Sequence, residues 1–193
     1  MSWRRGLLWV LLALPAVLMV RQLATGQAMA MDLYHPSGEM SLRLMLLALL
    51  PGPLAEFFGR NRFLRGWLAI RRNLGVAAFG YAVLHLVFYV IDMRVLAAMV
   101  EELQFPGIWT GWLSLLALLV PAMISFDLAM RCLRRRWQQL QWLVYPAFIL
   151  ALVHWLLLGW TWAPVLIHLA PLALAWLLRL LARRGIRFTR RTT

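Results

Sequence analysis

The chain has 193 residues, 63% of them hydrophobic, and a formal net charge of +13 in which all twenty basic residues are arginine. A water-soluble domain is usually about 45–50% apolar, so the excess exceeds what one small core can bury and a bilayer must solvate it. Such a charge first suggests nucleic acid, but the arginines fall in short clusters between apolar spans, which is a membrane-topology signal and excludes that reading.

A spanning helix needs roughly 20 apolar residues, and six stretches qualify: about 6–24, 39–58, 73–91, 108–130, 139–159 and 164–182. Arg4 and Arg5 precede the first. Read alone, that first run followed by the AMA at 28–30 also fits a secretory signal peptide. A retained helix is the expectation, because the run is long and Arg21 can snorkel to the outer interface. Asp32 and Glu39 follow it, in the loop DLYHPSGEM. Arg60, Arg62, Arg65, Arg71 and Arg72 separate the second span from the third, and Asp92, Glu101 and Glu102 come after the third. Arg131, Arg134, Arg135 and Arg136 separate the fourth from the fifth. The neutral GWTWAP joins the fifth to the sixth, and Arg183, Arg184, Arg187, Arg190 and Arg191 close the chain. Every second connection is basic, which puts both termini in the cytoplasm. The expectation is an all-α integral membrane protein: one six-helix bundle over residues 1–193, with no evident internal repeat and no separate soluble domain. The single cysteine, Cys132, excludes an intrachain disulfide and any cysteine-based metal cluster.

Four histidines are present. His35 lies in an outer loop, where water solvates it. His168 lies near the outer interface, where an imidazole with one wet edge needs no function. His85 and His154 differ, because both sit inside apolar helices running in the same direction, roughly 7–10 Å below the outer surface. Two imidazoles at one depth suit a six-coordinate haem iron; the competing reading is two polar residues hydrogen-bonded within the bundle. No third ligand shares their depth, so a tetrahedral metal site lacks donors. Gly75, Ala77, Ala78, Gly80 and Ala82 leave room before His85, for a flat ligand or equally for a close neighbouring helix. Arg43 is either a snorkelling cation or a partner for a haem propionate. Glu56 and Asp127 are expected to pair with nearby arginines. The aromatic residues of the fifth span, among them Trp137, Trp142, Tyr145, Phe148 and Trp155, fit interfacial belts.

Three blocks, HPSGEMSLRLMLLALLPGPLAEF (35–57), RGWLAIRRNLGVAAFGYAVLHLVFY (65–89) and WQQLQWLVYPAFILALVHW (137–155), resemble the MsrQ (YedZ) family. These are the haem-binding membrane subunits of the periplasmic methionine-sulfoxide reductase system, within the wider ferric-reductase-like group. The resemblance implies b-type haem and outward electron flow in the bacterial inner membrane. Electrons would come from a cytoplasmic flavin reductase or quinol and pass to a periplasmic molybdopterin enzyme. It places His85 and His154 at the family's outer haem ligands, Arg71 and Arg72 at its basic pair, and Arg43 where the family carries a basic residue. The sequence departs at LQWLVY, where Gln141 stands for a family histidine roughly 20 Å deeper than His154. An amide is a poor haem ligand, so one haem is expected rather than two, with the inner site empty, differently ligated, or holding FMN or a quinone. Two alternatives remain: a ferric-reductase or dehydrogenase cytochrome b with another acceptor, and a haem-free transporter or assembly partner.

Overall fold

The computed structural model describes residues 3–159 and 161–186; Trp160, Arg187, Arg190 and Arg191 lie outside these residues, as does the side chain of Arg4. The described chain is helical: α1 (Trp3–Ala24), a 3-10 turn (Met31–Leu33), α2 (Tyr34–Leu49), α3 (Pro51–Phe58), α4 (Arg62–Met93), α5 (Leu96–Glu102), α6 (Pro106–Met123), α7 (Asp127–Leu133), α8 (Arg135–Gln141), α9 (Val144–Gly159) and α10 (Trp162–Arg183). Among the described residues, six stretches are long and apolar enough to cross a membrane, as the composition requires. Their outward faces carry exposed Val10, Leu14 and Val17 on α1, Leu113 and Leu116 on α6, and Leu174 and Leu177 on α10. That is the surface of a protein solvated by lipid.

Several boundaries differ from the sequence expectation, for local reasons. The second span begins at Tyr34, so His35 and most of the expected loop are helical. It is interrupted at Leu50, because Pro51 has no N–H to give the Leu47 carbonyl one turn back; the indole Nε1 of Trp67 donates to that carbonyl instead, at 2.8 Å. Gly59, at φ 74°, ends α3, and the Asn61 side chain caps α4 by accepting the Leu64 N–H at 2.8 Å. From there α4 runs 32 residues without a break, since arginines are good helix formers and extend it beyond the apolar window. The fourth span stops at Met123 rather than 130, just past Pro121. The fifth breaks between Gln141 and Val144, where the ring of Pro146 would crowd the Trp142 carbonyl. In α1, Pro15 disturbs the ladder, and the Tyr81 hydroxyl enters the next rung. It accepts the Ala16 N–H at 3.0 Å and donates to the Leu12 carbonyl at 2.8 Å.

α2 lies along α4, and α6 along α9; these two pairs meet through α4–α6 and α2–α9 contacts. α10 covers α3, α2 and α9, and α1 packs chiefly on α4. The two pairs repeat one another, which corrects the expectation of no internal repeat. SGEMSL (37–42) on α2 matches TGWLSL (110–115) on α6, and AFGYAVLH (78–85) on α4 matches AFILALVH (147–154) on α9. The contacts repeat too. Ser41 Oγ donates to the Ala78 carbonyl at 2.8 Å, and Ser114 Oγ to the Ala147 carbonyl at 2.8 Å. Ala78 and Ala147 are both fully buried at these crossings, so the backbones approach closely where the side chains are smallest.

The charges segregate along the bundle. Arg72 pairs with Asp127, whose carboxyl also feels Arg131 and Arg5. Glu56 takes Arg179 at 2.7 Å and Arg183 at 3.5 Å. Both acids therefore pair with arginines at one end of the bundle, as the sequence suggested.

Candidate functional site

Between the two helix pairs lies a cavity of about 550 Å³, within the range that holds a cofactor. Its walls are mostly apolar, with Leu42 and Met45 on one side answered by Leu115 and Leu118 on the other. His85 from α4 and His154 from α9 both line it. The parallel course of these helices, read from the sequence, brings the two rings to 6.1 Å between centroids, with their planes at 88°.

Each ring is fixed by the helix opposite. His85 Nδ1 lies 3.0 Å from the Tyr34 carbonyl, with Ser37 Oγ at 3.4 Å. His154 Nδ1 lies 2.6 Å from the Gly107 carbonyl. These are equivalent positions of the repeat: Tyr34 stands one turn before Gly38, and Gly107 one turn before Gly111. A carbonyl only accepts, so both Nδ1 atoms carry a proton, and in the neutral ring Nε2 then keeps a lone pair. Nε2 of neither ring is hydrogen-bonded among the described residues.

This donor set fits a metal-centred group. Imidazole nitrogen binds a first-row metal at about 2 Å and the ring centroid lies about 1 Å behind it, so two rings on opposite sides of one ion stand roughly 6 Å apart. The backbone also leaves space for the rings. A Cβ at Gly38 would lie 3.2 Å from His85 Nδ1, and one at Gly111 would lie 2.6 Å from His154 Nδ1. Gly75 and Gly80, which the sequence left open to a flat ligand or a close helix, meet nothing within 4 Å. The glycines that lie against the rings, Gly38 and Gly111, are on the facing helices, and the repeated [ST]-G-x-x-S-L pattern is the signal that would have found them.

One end of the cavity is polar. The Tyr34 hydroxyl donates to Asp92 Oδ2 at 2.7 Å, and the Tyr89 hydroxyl to Glu102 Oε2 at 2.7 Å. His35 borders the same end, its ring 5.1 Å from that of Trp155 and its Nδ1 3.7 Å from Glu39. Arg43 does not line the cavity; it is exposed and bonds Glu39, which does, at 2.6 Å. Arg71 and Arg72 also lie off the cavity, roughly 20 Å along α4 from His85. His168 is buried with its Nδ1 against the Pro164 carbonyl at 2.7 Å and its ring beside Trp155, outside the cavity wall. Gln141 Nε2 donates to the Pro121 carbonyl at 3.1 Å and to Ser125 Oγ at 3.4 Å. Trp137 adds a bond from Nε1 to the Ile124 carbonyl at 3.0 Å. Gln141 thus fastens α8 to the end of α6.

The bundle with its paired intramembrane imidazoles defines a class. The family described as ferric reductase like transmembrane component matches residues 37–152, from the first repeat to just short of His154. The methionine-sulfoxide reductase haem-binding subunits MsrQ of Brucella ovis and Brucella suis are each 34% identical over 193 residues, spanning 96% of this chain and 85% of theirs. MsrQ of Cronobacter sakazakii is 38% identical over 131 residues, 66% of this chain; the chain covers 64% of that protein, less than two thirds. The chain belongs to the ferric-reductase-like transmembrane family and, within it, to MsrQ.

Proposed function

We propose that this multi-pass membrane protein is the haem-binding subunit of a methionine-sulfoxide reductase system. It sits in the bacterial inner membrane with both termini in the cytoplasm. It carries electrons outward, from a cytoplasmic flavin reductase or a quinol, to a periplasmic molybdopterin reductase. The observation that carries this reading is the pair of imidazoles, each with Nδ1 committed to a carbonyl, on either side of one apolar cavity. The relatives' name, haem-binding subunit, supports it. A b-type haem, when bound, supplies a one-electron carrier whose potential depends on its axial ligands and its burial.

The chain's own residues prepare that site. His85 and His154 present neutral rings with Nε2 free, so ligation releases no proton. The Tyr34 and Gly107 carbonyls orient them, as outer-shell acceptors orient metal-binding histidines elsewhere. Leu42, Met45, Leu115 and Leu118 give the site an apolar wall. The arginine-rich end faces the cytoplasm, which turns the polar end with Tyr34, Tyr89, Asp92 and Glu102 towards the periplasm and the acceptor. Arg43 acts there through Glu39, offsetting its charge at the wall. Arg71 and Arg72, at the opposite end, would receive the phosphate of a donor such as FMN or the head group of a quinone, Arg72 sharing its guanidinium with Asp127.

We assign one haem per chain. Gln141 replaces the inner histidine of the family pattern, and its amide is engaged with Pro121 and Ser125. Reduced-minus-oxidised visible spectra of the detergent-purified protein, with haem quantified per polypeptide, test both points. A b-type spectrum near one haem per chain is expected. Two haems would overturn the assignment for the inner site, and a colourless protein from haem-replete cells would overturn the function. A second reading, direct reduction of ferric iron, draws on the carboxylates Asp92 and Glu102 at the cavity's polar end, which attract cations. Ferric chelate reduction by the subunit alone, with no sulfoxide reduction in a reconstituted pair, would select it.

A further inference from the structure

We propose that Gly111 is a positioning residue that, together with the Gly107 carbonyl, sets the plane of the His154 ring. Iron held between the histidines then takes axial imidazoles crossed at a right angle. This rests on the haem reading above. The torsion that turns an imidazole about its Cβ–Cγ bond is broad, so the side chain alone does not choose a ring plane. For His154 two contacts from α6 choose it. The Gly107 carbonyl holds Nδ1 at 2.6 Å. One turn later the backbone of Gly111 lies so close that an added Cβ would stand 2.6 Å from Nδ1 and 2.7 Å from Cε1. Any side chain at 111 forces the ring to turn or to leave its carbonyl.

The other half holds its ring more loosely. His85 Nδ1 has two oxygens within reach, at 3.0 and 3.4 Å. A Cβ at Gly38 would meet the ring at 3.2 Å and 3.4 Å, a distance that a small shift relieves. The crossed arrangement of 88° therefore depends more on Gly111 than on Gly38.

Crossed rings have a signature that activity does not report. Each imidazole plane raises one of the two iron d orbitals available for π overlap. Parallel planes raise the same one and split the pair, whereas crossed planes leave the two nearly equal. Low-spin ferric iron with near-equal orbitals gives one strongly anisotropic electron paramagnetic resonance signal, where a split pair gives a rhombic three-feature spectrum.

The test is low-temperature resonance on the oxidised full-length protein in detergent, with haem quantified per chain. The wild type is expected to show the anisotropic signal. G111A is expected to lose most of it, to a rhombic or high-spin form. G38A should move the same way by less, and G75A, whose methyl meets nothing within 4 Å, should match the wild type. A rhombic wild-type spectrum, or haem-loaded G111A indistinguishable from wild type, overturns the proposal; so does a G75A shift as large as that of G111A. Should G111A fail to accumulate, G38A carries the test, and no displacement of its signal counts against the inference. A wild type without haem overturns the haem reading itself, which is distinct from haem held by parallel rings.

Discussion

The α2/α4 pair and the α6/α9 pair are two copies of one device that differ in what surrounds it. Each has a serine crossing to a buried alanine carbonyl, a glycine facing an imidazole, and a carbonyl one turn earlier that fixes the tautomer. The first copy carries the polar decoration. Tyr34 stands where the second has Gly107, Glu39 where it has Trp112, Arg43 where it has Leu116, and Tyr89 where it has Leu158. The shared glycines, serines and histidines line the cavity, and so do most of the divergent residues, Tyr34, Glu39 and Tyr89 of the first copy and Trp112 and Leu158 of the second. The repeat fixes where the two imidazoles stand, and the departures from it give one end of the cavity its polar groups.

The largest effects should come from the shared positions. H85A and H154A are each expected to abolish bound haem while the protein still inserts, and they should do so equally; absorbance per polypeptide in membranes checks this. If either variant kept a full six-coordinate spectrum, the equivalence of the two halves would fail. Next comes Tyr81, which has no counterpart in the second copy, where Leu150 occupies its place. Y81F leaves the Ala16 N–H and the Leu12 carbonyl without their bridge, at a cost of about 1–3 kcal/mol for buried polar groups. Thermal unfolding in detergent should show the loss, and L150A should not reproduce it through α1. The serines come third: S41A and S114A should each cost about 0.6 kcal/mol, the usual size of an interhelical bond in membranes. A difference of several-fold between them would break the symmetry.

The smallest effect lies at the arginine-rich end, outside both copies. The Arg72 guanidinium beside Asp127 holds that carboxyl below its ordinary range. A depressed carboxylate contributes stability above its unfolded value, near pH 4, and loses it as pH falls through the folded value. Stability should therefore be flat from pH 7 to 5 with respect to this pair and decline below about pH 4. D127N should remove the slope while barely changing the neutral value, because the pair is exposed. Unfolding midpoints measured against pH separate these outcomes.

Much of this was legible in the chain. The six spans follow from hydropathy, and the shared level of His85 and His154 from counting residues back from each helix end. The ion pairs of Glu56 and Asp127 follow from the arginines around them. The helix breaks at Leu50 and at Trp142–Leu143 were hidden, because Pro51 and Pro146 sit in apolar runs that a hydropathy window reads as continuous. The repeat was hidden for another reason. Its identities are confined to the faces that touch, about one position in three or four, while the lipid-facing positions between them tolerate any apolar residue. Arg43 was readable as a cation near the site, but only the fold shows that Glu39 stands between it and the cavity.

The Tyr81 hydroxyl, set in the rung of α1 beside Pro15, bears on the order of assembly. Within lipid no water can satisfy that rung, so α1 carries an open polar seam until α4 is inserted beside it. During synthesis the first span must wait for the third to arrive, and the second must leave that face of α1 clear. A membrane protein built this way has its earliest segment completed late, by a residue about 65 positions downstream.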